Sequence, residues 1–204
     1  MHDAMVLNQL RARIGPIMST IGRALGNAGI TPNTLTAISF VLALTAGFLF
    51  AADPSRPYLA AVAILCSGVL DVLDGAVARA TGKVSTLGSL NDSTLDRISE
   101  VAIYAGIAYQ SADYRIPPVI VLLALAFSLL VSYVRAKGES LNIKMSGIGI
   151  GERAERLLSL VLFALVGYVW IGIYIILALA LFTFLQRYMY VARALQERKK
   201  VEQG

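Results

Sequence analysis

The chain has 204 residues, of which 57% are hydrophobic and 15% charged, with a formal charge of +5 and a mean hydropathy of +0.69. That balance excludes an ordinary soluble domain, a disordered chain and a nucleic-acid binder, and places the sequence among integral membrane proteins. One cysteine and one histidine rule out a disulfide framework and a histidine-based metal site.

Residues 1–31 read as an interfacial segment. Val6, Leu7, Leu10 and Ile14 share one helical face, with Asn8 and Arg11 elsewhere, which predicts a short amphipathic helix lying on the membrane until Pro16 interrupts it. "GITPNTLT" then supplies a turn and an N-cap, Asn33 or Thr34, for the first span. Apolar runs follow at Leu35–Ala52, Tyr58–Leu70, Val101–Ala112, Ile116–Val134, Leu157–Val169 and Ile171–Leu185. Strand-type alternation is absent, so the runs predict an all-α membrane protein of six transmembrane helices. The second, third and fifth runs need their semi-polar flanks to reach the roughly 20 residues of a span. The first run begins too late for a cleavable secretion signal. Residues 32–195 therefore form one six-helix bundle, 196–204 a frayed polar tail, and 1–204 a single domain. Cys66 falls inside an apolar run and reads as a small buried hydrophobe.

Six spans leave both termini on one side. Of the 18 Lys and Arg, only Arg56 and Arg115 fall on the other. The positive-inside rule then makes the termini side cytoplasmic, with the plasma membrane as the expected location and anionic headgroups rather than nucleic acid as the partner of the basic surplus.

The segment Asp71–Arg97, "DVLDGAVARATGKVSTLGSLNDSTLDR", breaks the apolar pattern. Asp71 and Asp74 stand three apart at the end of the second span, Asp92 and Asp96 four apart at the start of the third. Each pair shares a helix face, and a short connection predicts antiparallel neighbouring helices on which all four carboxylates converge. Carboxylates packed this way repel unless cations join them, and hard oxygen donors suit Mg²⁺, Mn²⁺ or Ca²⁺. Four of them can hold two ions, an arrangement fitted to phosphate chemistry. Gly75 and Gly88 leave bare backbone beside the carboxylates, where a phosphate can approach, and Arg79 can reach an anion. The bland alternative is that the aspartates solvate helix ends or pair with Arg79 and Arg97.

Read as Asp71-x2-Asp74-Gly75-x2-Ala78-Arg79-x8-Gly88-x3-Asp92-x3-Asp96, the stretch matches every fixed position of the CDP-alcohol phosphotransferase signature, and the chain resembles that family over nearly its whole length. The resemblance implies transfer of a phosphatidyl-type group from a CDP-linked alcohol to an acceptor hydroxyl, with release of CMP. It implies that Asp71, Asp74, Asp92 and Asp96 bind two divalent cations, Mg²⁺ first and Mn²⁺ second, and that Asp96 also takes the acceptor proton. Asn33, Thr34, Leu35, Thr36, Gly75, Ala78, Arg79, Ser85 and Gly88 would line the CDP-lipid site, and the protein would be a homodimer.

The acceptor must be read elsewhere. Arg135 and Lys137 end the fourth span, Arg153 and Arg156 begin the fifth and Arg187 lies in the sixth, so guanidinium groups from three helices can build an anion pocket, or else serve as positive-inside anchors paired locally with Glu152 and Glu155. Arg135 and Lys137 diverge by about 200°, so only one of them faces the cleft. "SYVRAKGE", "GIGERAERLL" and "LQRY" resemble the phosphatidylinositol phosphate and archaetidylinositol phosphate synthases, in which residues matching Arg135, Arg153 and Arg187 hold inositol 1-phosphate. Glycerol 3-phosphate is the alternative acceptor. A cation transporter is the distant rival, which the one-sided placement of charge disfavours.

Overall fold

The computed structural model describes residues 16–202. They form seven helices and no strand: α1 over residues 16–27, α2 Pro32–Ala52, α3 Pro57–Ala80, α4 Thr86–Tyr109, α5 Pro118–Ser140, α6 Arg153–Leu165 and α7 Val169–Glu202. The amphipathic segment expected at Val6–Arg13 lies outside the described residues. α2, α3, α5 and α7 are each long and apolar enough to cross a membrane. Large apolar side chains stay exposed along them, among them Val41, Phe48, Val69, Leu122 and Phe182, as a surface facing lipid requires. The molecule is thus an all-helical, multi-pass membrane protein.

Helix starts follow local chemistry. Proline opens α2, α3 and α5, where its missing N–H leaves nothing unsatisfied. The cap of α2 is Thr31, one residue before that proline, and not Asn33 or Thr34; its hydroxyl accepts from the Thr34 amide at 3.2 Å. Ser85 caps α4 in the same way, accepting from Gly88 N at 3.0 Å. That cap starts the helix fifteen residues before the apolar run at Val101, so the polar stretch with Asp92, Asp96 and Glu100 is helical.

α2 is the spine of one half, packed against both α3 and α4. A Cβ on Gly47 or Gly106 would run into backbone of the facing helix, Ala102 and Gly47 respectively, so glycine is what lets α2 and α4 approach. The same device seats α1, where a Cβ on Gly22 would lie 2.6 Å from the Ala76 carbonyl oxygen on α3. In the other half α5 packs on α7, and α6 fits between α3 and α7. Phe50, Ile103, Ile107, Val121, Leu160 and Ile173 join the halves in one buried core. At the far end Gln110 and Tyr114, in the α4–α5 turn, donate to the Ala51 and Phe50 carbonyls at 2.8 and 3.0 Å and bond that turn to the end of α2.

Three expectations are corrected. α3 and α4 are not packed neighbours: both lean on α2 and splay apart, and the gap between them becomes the site. The tail at 196–202 continues α7 as helix, because Arg198 donates to the Leu141 and Asn142 carbonyls at 2.8 and 2.7 Å and fastens it to the α5–α6 loop. Cys66 is exposed on α3 rather than buried.

Candidate active site

Asp71 and Asp74 project from α3, one turn apart, and Asp92 projects from α4 across the gap. One carboxylate oxygen of each lies within 4.8 Å of the others. Thr36, on the first turn of α2, donates to Asp74 Oδ2 at 2.6 Å and fixes that carboxylate against the spine helix. Asp96, a turn further along α4, is held differently: its Oδ1 pairs with Arg153 Nη1 at 2.7 Å and its Oδ2 lies 3.3 Å from Arg97. The same Arg153 nitrogen is 3.6 Å from Asp71 Oδ2, so one guanidinium from α6 links the two aspartate pairs. A set of carboxylate oxygens with no nitrogen or sulfur ligand among the described residues, held on two helices at this spacing, fits a hard divalent cation.

The acidic seam separates two pockets. The smaller, about 390 Å³, opens between α2, α3 and α4 and is lined by Asn33, Thr36, Asp74, Gly75, Ala78, Arg79, Ser85, Gly88 and Asp92. Thr34 and Leu35 stay out of this lining: Thr34 bonds back to Thr31, and Leu35 is buried in the core. Gly75 and Gly88 have local reasons besides. A Cβ on Gly75 would lie 3.1 Å from Arg79 Nη1, and one on Gly88 3.0 Å from Ser85 Oγ. The glycines therefore let the arginine fold back over its own helix and the serine cap the next.

The larger pocket, about 720 Å³, lies on the other side between α3, α5, α6 and α7. Asp71 and Asp96 stand in its wall with Arg97, Arg135, Arg153, Arg156 and Arg187, above an apolar floor that includes Leu65, Val69 and Leu158. The arginines are not equivalent. Among the described residues Arg135 has only an exposed pair with Glu139 at 3.1 Å, which water weakens, so its charge is available to a ligand. Arg153 is one-fifth exposed at the seam itself. Arg187 is buried, and its three nitrogens donate to the Ile148 and Val131 carbonyls and to Glu152. Arg156 is 1% exposed and holds the equally buried Glu100 at 2.9 Å. Lys137 is exposed and outside the lining, the divergence from Arg135 that their spacing on α5 predicts.

Glu100 is the residue sequence reasoning passed over, whereas Arg97 pairs with Asp96 as the alternative reading of the aspartates expected. Glu100 continues the Asp92, Asp96 face by another four residues, and Arg156 follows Arg153 by three, so two matched rungs were there to be found.

A family profile described as CDP-alcohol phosphatidyltransferase matches residues 29–186. The chain belongs to this family. Among the CDP-alcohol phosphatidyltransferases, the archaetidylinositol phosphate synthase of Pyrococcus horikoshii is 36% identical over 199 residues, covering 98% of this chain and 100% of that protein. The phosphatidylinositol phosphate synthase of Cutibacterium acnes is 35% identical over 178 residues, 82% of each chain. Crystal structures of the Mycobacterium tuberculosis phosphatidylinositol phosphate synthase superpose with a TM-score of 0.73 at 26% identity. One, solved with manganese and citrate, covers 85% of this chain and 88% of that one; the other, with CDP-DAG bound, covers 86% and 94%.

Proposed function

We propose that this family member transfers the phosphatidyl-type group of a CDP-linked lipid to inositol 1-phosphate and releases CMP. The observation that carries the reading is the position of Asp71, Asp74 and Asp92 on a seam between two pockets of different chemistry. One pocket is the smaller, offers Asn33, Thr36, Arg79 and Ser85 as polar groups, and is rimmed by glycine and a serine-capped helix, suited to a nucleotide. The other combines an apolar floor with exposed arginine, suited to an anionic alcohol. The relatives support the pair, one having CDP-DAG bound and the others being named as synthases of phosphatidylinositol or archaetidylinositol phosphate.

In this reading Asp71, Asp74, Asp92 and Asp96 would hold two divalent cations, Mg²⁺ by preference. Such a pair neutralises the pyrophosphate and stabilises the attacking and leaving oxygens of an in-line displacement. Asn33, Thr36, Gly75, Ala78, Arg79, Ser85 and Gly88 hold the CDP group, with the backbone at Thr34 and Leu35 as the helix start behind them. Arg135 and Arg153 hold the acceptor phosphate. Arg187 supports that pocket by fixing Glu152 and the loop before α6. Asp96 accepts the proton of the acceptor hydroxyl as its oxygen bonds to the lipid-side phosphorus and the phosphoanhydride bond to CMP breaks. Arg153, already at Asp96, brings the acceptor phosphate to the same carboxylate.

The topology follows. α2, α3, α5 and α7 span outright. α4 completes a span with its polar first half at the site, and α6, about 20 Å long by its rise, completes its passage with its flanks and the turn at Gly167. Six passages put the termini and the seam on the cytoplasmic face of the plasma membrane, residues 1–204 forming one domain, and the protein works as a homodimer.

The test is a purified-enzyme assay of CMP release from CDP-diacylglycerol and CDP-archaeol, each crossed with inositol 1-phosphate, inositol and glycerol 3-phosphate. Turnover with inositol 1-phosphate is expected. Turnover confined to glycerol 3-phosphate or to free inositol overturns the acceptor.

A further inference from the structure

Beneath the seam lies a second ion pair, in which Arg156 borders the larger pocket but is turned to Glu100, a residue that lines neither pocket. Arg156 and Glu100 are each 1% exposed, and Arg156 Nη2 donates to Glu100 Oε1 at 2.9 Å. Burying two charges inside a membrane bundle is costly unless every polar atom is matched, and here matching is incomplete: Glu100 Oε2 and Arg156 Nε have no partner among the described residues. An apolar pair of similar volume would fill the space at least as well. What an apolar pair could not do is the second thing Arg156 does, which is to donate from Nη1 to the Gly151 carbonyl at 2.7 Å.

Gly151 is two residues before Arg153. Its N–H donates to Thr183 Oγ1 on α7 at 2.9 Å, and a Cβ there would lie 2.8 Å from that hydroxyl oxygen and 2.9 Å from the Leu179 carbonyl. The peptide that launches α6 is thus gripped from α7 on one side and, through Arg156, from α4 on the other. α4 and α6 do not pack backbone to backbone. Two rungs bridge them instead: Asp96 to Arg153, and one turn deeper Glu100 to Arg156.

We infer that Glu100 and Arg156 are positioning residues for acceptor binding: the buried rung sets the height and rotation of the α6 start and so aims Arg153 at the acceptor pocket. The inference rests on the acceptor role proposed for Arg153. It assigns no role to the pair in holding the CDP group, whose pocket lies across the seam.

The experiment measures, on the full-length protein in lipid nanodiscs, the KM for inositol 1-phosphate and for CDP-diacylglycerol separately, together with the melting temperature. Glu100→Gln should raise the acceptor KM about tenfold while the CDP-lipid KM stays within about twofold, since a misaimed binding group acts on the ligand it touches. Arg156→Lys, which keeps the charge but cannot reach both Glu100 and Gly151, should give a smaller rise, about threefold. The decisive variant is the double change Glu100→Met with Arg156→Leu. It should melt within a few degrees of the unmodified protein and still show the raised acceptor KM, because stability is restored and the grip on Gly151 is not. An unchanged acceptor KM in that stable double variant, or equal rises in both KM values in either single variant, overturns the inference. If the unmodified protein turns over glycerol 3-phosphate and not inositol 1-phosphate, the acceptor reading fails alone. The same comparison on glycerol 3-phosphate then decides the positioning role.

Discussion

Asp96 and Arg153 make the most specific claims on function, because they touch each other and lie at the seam between the two pockets. Asp96→Asn should lower turnover by about 10²- to 10⁴-fold, the range of a lost general base, while CDP-lipid binding stays measurable by isothermal titration. Near-normal turnover would remove Asp96 from that role. Arg153→Ala removes a guanidinium whose planar fork suits a phosphate, so the acceptor KM should rise at least about tenfold with a smaller change for the CDP-lipid. An unchanged acceptor KM would leave Arg153 only its ion pairs to Asp71 and Asp96. The residue types and spacings of the four aspartates were legible in the sequence because period and chemistry coincide there. The inequality of the arginines was not. Arg153, Arg156 and Arg187 look alike as letters, and only the three-dimensional path of the α5–α6 loop decides that Arg187 meets two carbonyls and Glu152 while Arg153 meets carboxylates.

At the scale of elements, the site depends on how α3 and α4 are kept apart and in register by α2. Gly47 and Gly106 sit where the α2 and α4 backbones touch, so Gly106→Leu should force the helices apart and lower the melting temperature of the purified protein. Overpacking of this kind costs about 1–3 kcal/mol, and Gly68→Leu, where nothing lies within 4 Å of an added Cβ, serves as the control. Helix existence was readable from apolar length for α2, α3, α5 and α7. The polar first half of α4 was readable from the spacing of Asp92 and Asp96, but its cap at Ser85, far upstream of the apolar run at Val101, was not. Nor was the splay of α3 from α4. A short loop suggests packed neighbours, but both helices find a better partner in the glycine- and alanine-faced α2, with Ala43, Ala46 and Gly47 turned inward.

For the whole molecule, metal dependence follows from gathering carboxylates that water alone cannot reconcile. Exhaustive chelation should abolish CMP release, and Mg²⁺ or Mn²⁺ should restore it where Zn²⁺ does not. The orientation is tested by membrane-impermeant thiol labelling in intact cells, using Cys66→Ser as background. Cysteine at Arg56 should label from outside and cysteine at Lys200 should not; the reverse pattern would invert the topology. Finally, the two pockets share no lining residue, the smaller being built on α2, α3 and α4 and the larger mainly on α3, α5, α6 and α7. In the proposed reading each substrate takes its own pocket and does not pass through the other's chamber, so neither needs to arrive first. The steady-state kinetics should therefore show intersecting double-reciprocal lines, with CMP competing against the CDP-lipid and not against the acceptor.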